Sequence, residues 1–106
     1  MKSNTFHSGL RPMDNEFSYQ VNRFEGEWPS WLRGSFFRNG PGRLQVGTTR
    51  MGHWFDGDGM VCAFRFRDNG VFFQNRYVRT PKFIRETALN RVDCRGFGTR
   101  RPGGLL

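Results

Sequence analysis

Apolar and polar positions alternate most regularly between residues 60 and 77. Met60, Cys62, Phe64 and Phe66 take every second position, with Arg65 and Arg67 among the residues between and after them. Val71, Phe73, Asn75 and Tyr77 resume the alternation after Asp68-Asn69-Gly70. A period of two on both sides of an Asn-Gly pair predicts an antiparallel hairpin. With Asn69-Gly70 as the two-residue loop, Phe66 is expected opposite Phe73, Phe64 opposite Asn75, and Cys62 opposite Tyr77, all on the face that becomes buried. Arg67, Arg65 and Arg76 meet Phe72, Gln74 and Ala63 on the other face, which suits solvent or a second sheet.

Upstream, Ser35-Phe36-Phe37-Arg38 predicts a short strand. Asn39-Gly40-Pro41-Gly42 is expected to end it in a sharp turn, because the proline pushes Gly40 out of the helical region and the glycines permit positive φ. Trp28, Trp31 and Leu32 surround Pro29, which removes a donor, so this segment predicts a hydrophobic plug under a neighbouring sheet rather than a central strand. Thr80-Pro81 reads as a capped helix start, with Phe83, Ile84, Thr87, Ala88 and Arg91 on one side of a short helix. Residues 1–15 are polar, Gly- and Pro-punctuated and aperiodic, and predict a mobile arm; residues 16–106 are expected to be part of a single domain, with loop beyond Asp93. Short strands and turn signals predict an all-β, antiparallel fold of sandwich, barrel or propeller type, and no internal repeat distinguishes these.

Composition adds the nature of the core. Twelve Phe and three Trp stand beside two Tyr, so most aromatic mass carries no polar handle and seeks burial. No apolar run approaches the ~18 residues of a membrane span, and the N-terminus lacks a secretory apolar segment, so a cytoplasmic location is expected. The two cysteines, Cys62 and Cys94, lack metal-site spacing and are expected to be reduced. Seventeen basic residues, almost all Arg, against nine acidic ones give a net charge of +8. Such a charge attracts anionic partners and admits peripheral membrane contact. The arginines are scattered, with one tight cluster at Arg95, Arg100 and Arg101, so no specific nucleic acid is expected as a partner.

Local motifs supply little chemistry of their own. Asp56-Gly57-Asp58-Gly59 opens like a calcium loop but lacks its later oxygen ligands, since Met60, Phe64 and Phe66 fill their places. His53 and His7 are the only histidines, too few and too unrelated for a transition-metal site. Arg95-Gly96-Phe97-Gly98 matches the first half of an RNA-binding strand motif, but Thr99, Arg100 and Pro102 break the second half. A basic, Arg/Gly-rich nucleic-acid-binding module is therefore the alternative reading. No catalytic residue and no metal ligand is assigned within the chain.

Three phrases carry a wider resemblance: Arg38-Asn39-Gly40-Pro41-Gly42, His53-Trp54-Phe55-Asp56-Gly57-Asp58-Gly59-Met60, and Asn75-Arg76-Tyr77-Val78-Arg79-Thr80. In this order, from about Glu16 to Gly104 and without an obvious gap, they resemble the opening of the carotenoid cleavage oxygenases. The resemblance implies part of a seven-bladed β-propeller: about one blade, an N-terminal plug and a short helix. It implies a complete enzyme in which Fe(II), held by four histidines from further along a longer chain, activates O2 to cleave a double bond. The substrate would be an apolar polyene or stilbene in an apolar tunnel, and two carbonyl products would leave. The fragment itself would bind no iron and be inactive, or would be a truncated remnant. Trp31, Arg38, Asn39, Gly40, Pro41, His53, Asp56, Gly57, Gly59 and Arg79 are then structural motif residues, with Arg38 and Asp56 as a buried pair. Phe55 is the candidate tunnel-wall residue. Cys62 departs from the family phrase, where many relatives have histidine.

Overall fold

A computed structural model describes residues 11–101. His7, Pro102 and most of the arm expected over residues 1–15 lie outside the described residues. Strand β1 is Ser18–Gln20, β2 is Gly34–Arg43, β3 is Gln45–Val46, β4 is Thr49–Arg50, β5 is Asp58–Arg67 and β6 is Gly70–Tyr77. Helix α1, Pro81–Leu89, follows directly. β1, β6, β5 and β2 form one antiparallel sheet in that order, while β3 and β4 form a small separate ribbon. No helix among the described residues is long and apolar enough to cross a membrane.

The hairpin expected from the alternation is β5–β6, with a register displaced from the expected one. Arg67 pairs with Gly70, so the two-residue loop is Asp68-Asn69, and Phe66 faces Val71, Phe64 faces Phe73, Cys62 faces Asn75 and Met60 faces Tyr77. The displacement is two positions, which preserves every side chain's face. Met60, Val71, Asn75 and Tyr77 on that face are buried, whereas Phe64, Phe66 and Phe73 remain half-exposed.

β2 differs more. The Asn39–Gly42 phrase does not turn the chain; it continues the strand, with Asn39 opposite Val61, Gly40 opposite Met60 and Pro41 opposite Gly59. β2 is the sheet's outer strand, where a missing N–H costs no ladder bond, and the register shift falls between Pro41 and Arg43. Gly42, at that bulge, is needed for packing: a Cβ there would come within 2.6 Å of the Tyr77 ring and 2.8 Å of Met60 Cβ. Among the described glycines positive φ occurs at Gly26, Gly34, Gly47 and Gly70, not at Gly40 or Gly42.

The described end of the predicted mobile arm is tied down. Met13 N–H donates to Gly42 O at 2.8 Å, and the Tyr77 hydroxyl donates to Met13 O at 2.7 Å. Buried Asn75 receives Phe17 N–H on Oδ1 and donates from Nδ2 to Asn15 O. The expected plug, by contrast, has no cover among the described residues: Trp31 is 77% exposed, and Trp28 packs on Phe24 at 4.5 Å between ring centroids. A fully buried Val92 joins Val46 and Met51 in a small core between the β3–β4 ribbon and the segment after α1.

Candidate functional site

The phrase beginning at His53 folds into a single 3-10 turn, Trp54–Asp56. His53 caps it, its Nδ1 accepting the Phe55 N–H at 3.0 Å, so the imidazole is engaged by its own turn. Phe55 and Phe97 flank the ring at 4.8 and 4.7 Å between centroids. Both phenyl rings are otherwise open, 79% and 81% exposed, so His53, Phe55 and Phe97 form an aromatic patch on the surface of the described residues. Gly57 closes the turn against Pro41 and Leu44.

At the end of this turn the Asp56 carboxylate is buried and enclosed by a distant loop. It accepts Phe97 N–H at 2.5 Å on Oδ1, and Gly98 N–H at 2.9 Å and the Thr99 hydroxyl at 2.7 Å on Oδ2. Thr99 Oγ in turn accepts Gly52 N–H at 2.7 Å, and Gly96 N–H donates to Thr99 O, which closes the loop on itself. Gly96 packs so closely on the carboxylate that any Cβ there would collide with it. Burial pushes the Asp56 carboxyl up, but the hydrogen bonds from Thr99, Gly98 and Phe97, with His53 nearby, outweigh it and hold the group below its ordinary value.

Arg38 takes no part in this arrangement. It lies exposed on β2 opposite Cys62, and the expected Arg38–Asp56 pair is replaced by backbone amides and a hydroxyl. Those donors come from the Arg95–Thr99 stretch that resembles half of an RNA-binding strand motif. The stretch is loop, with its amides turned to Asp56.

Asp58, two residues on, points into a different network. Its Oδ2 receives Arg43 Nε at 2.5 Å and its Oδ1 receives Lys82 Nζ at 3.0 Å. Lys82 also stands 3.1 Å from Oε1 of Glu86, one helical turn along α1, and Glu86 is fully buried without a hydrogen bond to either carboxylate oxygen. Arg43 lies 4.3 Å above the Phe83 ring and donates to Thr87 Oγ at 2.9 Å, fastening α1 to the sheet. The helix begins as expected, with Thr80 Oγ accepting Phe83 N–H, but its buried side differs. Glu86 takes the interior place, while Ile84 is 57% exposed. An acidic residue four positions from Lys82 reads in sequence as a solvated helix pair, which hides this role.

The remaining motif residues are framework. Gly59 O accepts Val78 N–H at 2.8 Å, and Gly59 lies close to Asn39 Oδ1. Arg79 grips Glu16 at 2.5 Å and donates to Tyr77 O. Among the described residues no group of three or more His, Cys, Asp or Glu side chains converges on a point that would suit a metal ion. Iron does not fit the residues in hand.

Known proteins supply the context. The family model described as retinal pigment epithelial membrane protein matches residues 10–103. Apocarotenoid-15,15'-oxygenase of Synechocystis is 42% identical over 100 residues, covering 92% of this chain and 20% of the relative. The chain belongs to the carotenoid oxygenase family. Within that family, β,β-carotene 15,15'-dioxygenase of Mus musculus is 39% identical over 74 residues, covering 70% of this chain and 13% of the relative. A cobalt-substituted structure of the Synechocystis oxygenase superposes with a TM-score of 0.85 at 42% identity, over 91% of this chain and 20% of that one. The chain thus spans a fifth or less of the length of these relatives, and its sheet is part of a β-propeller.

Proposed function

We propose that these residues are the N-terminal part of a non-haem iron(II) dioxygenase that oxidatively cleaves a double bond in a carotenoid, apocarotenoid or stilbene-type substrate. The observation that carries this reading is the 42% identity to an apocarotenoid oxygenase over nearly the whole chain, with the matching backbone. A solved relative in cobalt-substituted form supports a metal centre in the complete enzyme. The ligands of that centre would come from outside the described residues, which contribute structure. The Asp56 cradle ties the turn after β4 to the loop at residues 96–99, and the Asp58 cluster fastens α1 to the sheet. The Asp56 cradle holds the exposed Phe55–Phe97 patch in place. Phe55 is assigned to the wall of the apolar tunnel, where an unsubstituted ring meets a polyene without presenting a polar group.

Cytoplasmic location and peripheral membrane contact are part of the same proposal, since an apolar polyene reaches a soluble enzyme most readily at a lipid surface. Incubation of the complete protein with an apocarotenoid, β-carotene and a stilbene under O2, with mass-spectrometric analysis of the products, tests the assignment. Two carbonyl fragments that sum to one substrate plus O2 support it. Unchanged substrate in all three reactions, from folded protein supplied with Fe(II), would contradict it.

A further inference from the structure

Asp93 is a further strongly held carboxylate, and the arginines around it carry more positive charge than it can balance. It is buried, and it lines an open surface depression of about 320 Å³ together with Arg85, Cys94, Arg95 and Arg101. Arg85 Nε lies 2.6 Å from Asp93 Oδ2, while Arg91 and Arg101 stand 3.8 and 4.0 Å from the carboxylate, beyond hydrogen-bonding reach. Arg95 lines the same depression and has no ion pair among the described residues. The hydrogen bond from Arg85, with the charges of Arg85, Arg101 and Arg91, outweighs burial and holds the Asp93 carboxyl below its ordinary value. Three guanidinium groups against one carboxylate leave an excess of two positive charges around one concavity, with Arg91 near Asp93 outside its lining.

We propose that this depression binds a phosphate-class oxyanion, with Asp93 as the residue that gathers the arginines and Arg85, Arg95 and Arg101 as the groups that contact the ligand. The arginines lining the depression outnumber the one carboxylate among them. Arg85 spends Nε on Asp93, and among the described residues its two terminal nitrogens have no acceptor. A planar guanidinium held by one edge presents the rest of its donors in a fixed fork, which matches two oxygens of a phosphate. Arg101 stands 4.0 Å from the carboxylate, too far to hydrogen-bond it, and lines the same depression. The divalent charge of a phosphate monoester suits the excess better than a single carboxylate would, and the neighbouring Cys94 thiol adds a weak donor. The same chemistry is offered by free phosphate and by the exposed phosphate of an anionic lipid.

The full chain is titrated with inorganic phosphate by calorimetry at low ionic strength, and separately sedimented with phosphatidylcholine vesicles made with or without phosphatidic acid. Arg95→Gln/Arg101→Gln is the test variant, because it leaves the Arg85–Asp93 bond in place; Arg33→Gln/Arg67→Gln, neither of which lines the depression, is the charge-matched control. Circular dichroism verifies that each melts as the parent does. Saturable phosphate binding that weakens about tenfold or more in the test variant, but not in the control, supports a site for the free ion. Phosphatidic-acid-dependent sedimentation lost in the test variant alone, without phosphate saturation, supports the lipid source. Absence of both, or equal loss in test variant and control, would overturn the site and leave only diffuse attraction to a basic surface. None of these readouts depends on double-bond cleavage, so the site and the proposed activity stand or fall separately.

Discussion

The Thr99 hydroxyl donates to Asp56 Oδ2 at 2.7 Å, across 43 positions of sequence. Together with the Phe97 and Gly98 amides it makes Asp56 the fastening point between the His53 turn and the C-terminal loop. Asp56→Ala removes an acceptor from three donors at once, and hydrogen bonds to a charged group contribute about 1.5–3 kcal/mol each without being additive. A net loss of about 2–3 kcal/mol is expected, read as a lower midpoint in denaturant at unchanged slope.

The same carboxylate predicts an acid limb. Its folded value lies below the ordinary carboxylate value, as does that of Asp93 beside Arg85. Stability from both groups is therefore fully present above the unfolded-state value near 4 and is lost as pH falls through the lower folded values. Melting temperature should fall as pH drops below about 4, and Asp56→Asn should make that fall shallower. An identical acid limb in Asp56→Asn and the parent would remove Asp56 from this role.

Buried Glu86 faces Lys82 with no hydrogen bond to its carboxylate oxygens. Lys82→Ala leaves that charge and Asp58 with less compensation, at a cost of about 3 kcal/mol. Lys82→Met/Glu86→Leu, which removes both charges and keeps the apolar volume, should restore most of the loss because Arg43 still holds Asp58. Thermal melts of the two variants measure the difference.

Tyr77 gives the alkaline counterpart. Burial lifts its phenol to about 12, partly offset by Arg43. A raised folded value favours the neutral form, so the contribution is complete below the unfolded value near 10 and is lost as pH rises through about 12. Ultraviolet titration should show one phenol ionising late, and Tyr77→Phe should remove that step while costing about 1 kcal/mol through the lost bond to Met13 O.

The two faces of the β5–β6 hairpin were legible because alternation alone assigns them. The register was not, since Asp68-Asn69-Gly70 contains two candidate loops and a shift of two positions changes no side chain's face. The Thr80-Pro81 helix start was legible from local capping chemistry, whereas burial of Glu86 depends on Arg43 and Asp58, which arrive from other strands. Pro41 and the adjacent glycines signalled a turn in sequence, but an edge strand accommodates them, and only the sheet order shows that β2 is an edge. Asp56 was expected to pair with Arg38; the donors it finds instead come from a loop more than forty positions away.

Under the proposed function, these residues build and position a site whose metal ligands lie elsewhere, and iron content is the most direct measure of that. His53→Ala and Asp56→Asn in the complete protein are compared with the parent for melting temperature, bound iron per folded molecule and turnover. Both variants are expected to melt lower while keeping parent iron content and most turnover per folded, iron-loaded molecule. A variant that melts like the parent yet loses its iron would make His53 or Asp56 part of the metal centre and contradict the proposed division between framework and metal site.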